Sequence, residues 1–145
     1  MNAIPKLTDA REGPDVDKLA DLVMLTQRTC LLDLTKELNK GSVSFPQFYL
    51  LGYLSTEESM TMSEIAGKMG HSTAAATGLV DRLEKLGYVE RIHAADDRRK
   101  ILVQITAKGE ALLLTLRAAL ANSLSSMMAD LDGDDKSLLT SAFQR

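Results

Sequence analysis

The sequence predicts a mainly α-helical fold carrying one small β-hairpin. Three observations predict it. Leu, Ala and Met dominate a hydrophobic content of 45%, aromatics make up only 4%, and there is no Trp; that palette favours helices over sheets. Apolar residues recur every three or four positions along most of the chain. One stretch alone, 88–106, holds two strand-like runs around a charged turn.

The bulk numbers bound the class. A chain of 145 residues suits one domain. Seventeen basic against 20 acidic residues give a net charge of −3, so the total does not mark a polyanion binder, although a local basic face remains possible. Cys30 is the single cysteine, which excludes an intramolecular disulfide and fits a reducing compartment. The start, "MNAIPKLTDAREGPD", lacks the apolar run of a signal peptide, and no run approaches bilayer length. A soluble, cytoplasmic protein with no membrane partner is expected.

Residues 1–14 are polar, carry two prolines and show no periodicity, so they read as a flexible arm. Pro14-Asp15 starts a helix, with Asp15 placed to cap it. The helix runs to about Leu38, with Leu19, Leu22, Val23, Cys30, Leu31, Leu34 and Leu38 as its apolar positions, and "NKG" ends it. Ser44 precedes Phe45-Pro46, and proline suits a first helical turn. The helix that follows, about 45–55, is apolar all round and is expected to be buried. Thr61 and Glu64 form a capping box for a short helix, 62–69, ended by Gly70. Ser72 caps the next, which runs to about Leu86 with Leu79, Val80, Leu83 and Leu86 inward, and Gly87 beyond its end. Two helices joined through "GHS" are a helix-turn-helix.

Tyr88–His93 and Lys100–Thr106 follow as a hairpin joined by "AADDRR". A hairpin after the second helix of a helix-turn-helix makes the arrangement winged. Thr106 then caps a helix over about 107–129, marked by Leu113, Leu116, Leu120, Leu124 and Met127. At that length it spans roughly 34 Å, too long for a small domain to cover. An acidic turn at 130–135 and a last helix, about 134–144, close the chain. The long outer helices, 15–43 and 107–145, read as a dimer interface with Leu19, Leu120 and Leu124 in it. The lobe between them, 44–106, is the winged helix-turn-helix.

Reading helices use their first turns. Here those turns offer Ser72, Thr73 and Thr77 as donors to bases or phosphates, and Ala74 for a thymine methyl. Gly78 costs helix propensity but admits close approach of the backbone, and Arg82 is placed for a phosphate. In the hairpin, the ten residues Arg91–Lys100 hold four basic side chains, Arg91, Arg98, Arg99 and Lys100, and two acids, Asp96 and Asp97. An arginine at such a tip can enter a minor groove, and a neighbouring carboxylate can fix one guanidinium so that the next points outward. A solvated turn with internal ion pairs is the plainer alternative.

These motifs, "LVDRLEKLGYVER", "DDRRK" followed by a strand, and "ITAKG", resemble the MarR family of winged helix-turn-helix regulators, with residues 45–113 carrying most of the likeness. The resemblance implies a homodimer on a double-stranded, pseudo-palindromic DNA operator. It also implies repression, and release by a small aromatic or phenolic effector or by oxidation. Asp97 and Arg99 match the family's Asp-x-Arg wing motif, with Arg99 in the minor groove, Arg98 on the backbone, and Thr73 and Thr77 on the reading face. Many members carry arginine where this chain has Gly78, which shifts weight toward the wing. Tyr49 and Tyr53 are candidate lining for an effector pocket, with core packing as their other role.

Rival readings have less support. Cys30 as a redox sensor needs an exposed, low-pKa thiol, yet it shares an apolar stripe with Leu34 and Leu38. His71 and His93 lack partners at ligand spacing, so no metal or cofactor is expected. No nucleophile–base pair or phosphate-cradling loop suggests an enzyme. A winged-helix adaptor for proteins would not need Arg98 and Arg99 together.

Overall fold

The computed structural model describes residues 13–129, with 133, 134, 136, 137 and 141 beyond them; in the first helix, side chains are described at 20, 24, 27, 28 and from 30 onward. The elements run α1 (Gly13–Lys40), α2 (Phe45–Thr56), β1 (Met60–Thr61), α3 (Met62–Met69), α4 (Thr73–Lys85), β2 (Val89–His93), β3 (Ile101–Ile105) and α5 (Ala107–Met127). Residues 1–12 of the expected arm, the Leu19 side chain and most of the final helix lie outside what is described, although 133, 134, 136, 137 and 141 are helical.

Local chemistry explains most boundaries. Ser44, Thr61, Ser72 and Thr106 each accept a backbone N–H at a helix start, satisfying donors that a helix cannot pair itself. Ser44 does more than precede a proline: Gln47 Oε1 accepts its N–H at 2.9 Å, completing a second capping box. α1 begins at Gly13, two residues before the expected start, so Pro14 and Asp15 fall inside its first turn, where both are favoured.

Three expectations need correction. The hairpin is part of a three-stranded antiparallel sheet of order β1-β3-β2. The added strand is only Met60–Thr61, paired with Val103 and Leu102. α2 is not buried all round: Gln47, Leu50, Leu51 and Leu54 are, but Tyr49 is 59% exposed and Tyr53 37%. The phenol rings of the two tyrosines lie on the side of α2 away from the core, a position that suits an apolar ring with a wet polar end. Leu31 is exposed too; the buried stripe of α1 is Cys30, Leu34 and Leu38.

One core joins the outer helices to the lobe. Leu34, Leu38 and Leu116 belong to the same buried cluster as Leu50, Leu51, Leu54, Ile65, Val80, Leu83, Val89 and Val103. α1 and α5 are also tied by the buried Ser123, whose hydroxyl donates to Asp33 Oδ2 at 2.6 Å. That bond, with Lys36 adding to it, holds the Asp33 carboxyl below its usual range.

The junction beneath α4 explains the "LGY" and "ITAKG" motifs. Gly87 takes a φ of 80° to turn the chain out of α4. The Tyr88 carbonyl then accepts the Thr106 N–H at 3.0 Å, and Gly109 lies against the same oxygen. A Cβ on Gly109 would sit 2.3 Å from it. Lys108 Nζ donates to the Leu86 carbonyl at 2.6 Å and covers the Tyr88 ring. The Tyr88 hydroxyl donates to the Gly41 carbonyl at 3.0 Å. The end of α4, the start of α5 and the α1–α2 turn are thus locked together.

Candidate nucleic-acid interface

Two exposed surfaces rise from this frame. α4 buries Ala76, Val80 and Leu83, which turns Ser72, Thr73, Ala74, Gly78 and Arg82 outward as exposed residues, with Thr77 half-buried beside them. Ser72 Oγ accepts the Ala75 N–H at 3.2 Å, and its proton stays available to a ligand oxygen. Thr77 behaves differently from expectation: its hydroxyl donates to the Thr73 carbonyl at 2.8 Å, leaving it an acceptor toward solvent. A Cβ at Gly78 would meet nothing within 4 Å, so no packing inside the chain calls for glycine there. Arg82 forms no ion pair among the described residues.

The second surface is the turn between β2 and β3. Here the carboxylate–guanidinium pair expected at the tip is replaced by backbone bonds. Asp97 Oδ1 accepts the Arg99 N–H at 2.9 Å, a local geometry natural to aspartate in turns. The Asp97 carbonyl accepts the Lys100 N–H, and the Lys100 carbonyl accepts the Ala94 N–H, both at 2.9 Å. His93 Nδ1 stands 2.8 Å from the Arg98 carbonyl; that oxygen can only accept, which puts a proton on Nδ1. Asp97 therefore steadies the tip through the main chain. Arg98 and Arg99 are exposed and form no ion pair among the described residues. The Lys100 charge reaches Glu64, whose carboxyl is held low first by the Thr61 N–H, then by the Thr61 hydroxyl, with Lys100 and Lys68 adding to it.

A link between the two surfaces was not legible in the sequence. Arg91, in mid-β2, donates from Nη2 to Asp81 Oδ1 at 2.6 Å and from Nη1 to Glu84 Oε2, both on α4. Asp81 foremost holds the guanidinium above the ordinary arginine range, against the cost of burial. Arg91 thereby leaves the basic cluster of the hairpin, because its charge is spent inside the chain.

The remaining candidates are dispersed. A cleft of about 450 Å³ between α1 and α5 is lined by Asp33, Lys36, Glu37, Asn122, Ser123 and Met127 among others, without Tyr49 or Tyr53. Tyr53 instead lies under Lys68 Nζ, 5.5 Å from its ring centre. Leu124 is 37% exposed and Leu120 half-buried, and Met24, Leu31, Leu32 and Leu114 add exposed apolar surface on the same two helices. No helix is long and apolar enough to cross a membrane, and no metal-binding group of acids, His or Cys occurs, among the described residues.

Comparison with known proteins agrees with this architecture. The MarR family model matches residues 42–100. The chain is 46% identical over 67 residues to the HTH-type transcriptional regulator YfiV of Bacillus subtilis, covering 46% of this chain and 42% of that protein. It is 31% identical over 123 residues to the transcriptional repressor MprA of Escherichia coli K12, covering 83% of this chain and 70% of the relative. The crystal structure of the S. aureus MepR–DNA complex superposes with a TM-score of 0.74 at 16% identity, covering 86% of this chain and 94% of that one, which shows the shared fold. With the winged helix-turn-helix architecture and a relative that spans the whole lobe, the chain belongs to the MarR family of transcriptional regulators.

Proposed function

We propose that this regulator binds a pseudo-palindromic operator in double-stranded DNA as a homodimer and represses the adjoining genes. In this reading α4 lies in the major groove, with Ser72, Thr73, Ala74, Thr77 and Gly78 facing bases and Arg82 a phosphate. The wing tip reaches the minor groove through Arg99, with Arg98 and Lys100 on the backbone. The observation that carries the reading is the tip: two adjacent arginines, exposed, on a turn whose backbone is fixed by Asp97 and His93. Fixing the main chain leaves the cations free for a ligand, which a turn built only for solvation does not need.

Relatives support the direction of the reading. MprA is a repressor and the MepR structure contains DNA. The exposed apolar residues Met24, Leu31, Leu32, Leu114 and Leu124 on α1 and α5 are the kind of surface that a second copy covers. A cytoplasmic setting and release by a small aromatic or phenolic effector follow the family pattern. Cys30 is 8% exposed, which favours packing over the accessible thiol that redox release requires.

The test is a salt titration on a duplex selected by the protein from random DNA. Affinity is expected to fall steeply with salt, by about 0.9 log unit per log unit of salt for each phosphate contacted. A shallow slope, or failure to select any sequence, would contradict the proposal.

A further inference from the structure

We infer that Arg91 is a positioning residue for DNA recognition, gripping Asp81 and Glu84 so that wing and reading helix meet one half-site at a fixed angle. The inference rests on the operator reading above.

The grip is placed where it matters. At about 100° per residue, Glu84 falls roughly 20° from Thr73 around the α4 axis, and Asp81 roughly 40° from Thr77. The carboxylates therefore continue the ridge that carries the two threonines. On the other side, Arg91 lies two residues before His93, whose ring holds the Arg98 carbonyl. One planar fork thus joins the reading ridge to the root of the wing.

Its geometry differs from that of an ordinary surface pair. The Arg91 side chain is 25% exposed, against 60% for Asp81 and 40% for Glu84. A guanidinium held at two points one helical turn apart resists rotation as well as sliding. Both carboxylates stay open to solvent, and pairs screened in that way do little for folding stability, so the consequence to expect is geometric. Phosphate contacts along random DNA tolerate a loose wing, whereas simultaneous major- and minor-groove contacts at one half-site do not.

The clamp also offsets one of two carboxylate charges near the DNA-facing surface, and the experiment separates that effect. Affinities for the duplex selected by the wild type and for a shuffled duplex are measured for wild type, Arg91→Gln, Arg91→Lys, and the triple variant Asp81→Asn/Glu84→Gln/Arg91→Gln. Arg91→Gln is expected to lose about tenfold of the operator-to-shuffled ratio. Arg91→Lys keeps the charge without the fork and is expected to lose about threefold; it carries the test if Arg91→Gln melts below the assay temperature. The triple variant is expected to stay as unselective as Arg91→Gln. A wild-type ratio in both Arg91→Gln and Arg91→Lys overturns the inference. So does a wild-type ratio in the triple variant, because charge alone would then account for the effect. A wild type that selects no sequence overturns the operator reading, and this inference with it.

Discussion

Along the outward face of α4 the side chains are short: Ser72, Thr73, Ala74, Thr77 and Gly78, with Arg82 a turn further on. At the wing tip they are long and cationic: Arg98, Arg99 and Lys100. The supports differ as well. α4 is seated by buried Ala76, Val80 and Leu83, so apolar packing sets its position. The tip has one buried residue, Ala94, and is shaped instead by hydrogen bonds from Asp97, His93 and Lys100. A packed helix with short side chains suits close fit to a groove wall. A hydrogen-bonded turn with free cations suits reach and charge. In the proposed reading the two surfaces divide fit from attraction, and Arg91 joins them.

The largest effect is expected where both surfaces share a support. Gly109→Ala places a Cβ 2.3 Å from the Tyr88 carbonyl and 2.6 Å from Ile105 Cγ1. The junction must open, at a cost of about 3 kcal/mol and a fall in Tm of about 6–12 °C. Calorimetry checks it; an unchanged melt would show that the junction does not set the frame.

Next comes the wing alone. Asp97→Ala removes the acceptor for the Arg99 N–H, a bond of about 1 kcal/mol or roughly fivefold in operator affinity if the tip must be fixed. Asp97→Asn keeps an acceptor oxygen and is expected to bind like wild type. Equal losses in both variants would mean that the aspartate's charge matters and its turn geometry does not.

Much of this was readable from the chain and some was not, for a physical reason. Caps are local: Thr61 with Glu64, Ser72 and Thr106 act within one helical turn, and the sequence displays them directly. β1 is two residues long and exists through pairing with Val103 and Leu102 about forty positions away. The exposure of Tyr49 and Tyr53 depends on which side of α2 meets the core. The importance of "ITAKG" was visible as a motif, but its cause is the Tyr88 carbonyl. Arg91 looked like part of the basic tip because its partners sit on another element. The sequence offered a carboxylate at the tip as a clamp on one guanidinium; Asp97 instead accepts the backbone N–H of Arg99.

Gly78 sharpens the helix side of the comparison. Since a Cβ there meets nothing, Gly78→Ala is expected to stabilise the fold by about 1 kcal/mol while weakening operator binding a few-fold. Opposite signs in the melt and the binding curve would show that the glycine serves the groove. A stabilised variant with full affinity would remove close backbone approach from the account.

The smallest effect lies far from both surfaces. Asp33 is held below the usual aspartate range, first by the Ser123 hydroxyl and then by Lys36. A lowered folded pKa gives stability that is present above the unfolded value and lost as pH falls through the folded one. Asp33→Asn is therefore expected to melt slightly below wild type near neutral pH, with the gap closing in acid. A gap independent of pH would contradict this, while operator affinity at neutral pH is expected to stay unchanged.

The central claim is that the tip supplies attraction and α4 supplies fit. Its most direct test is the operator affinity of Arg99→Ala beside wild type, with dimer mass measured on the same samples. The account predicts a loss of about tenfold or more, an unchanged dimer, and a weaker preference for A·T pairs where the tip meets the minor groove. An Arg99→Ala protein that binds the operator as tightly as wild type, with the same base preferences, would contradict it.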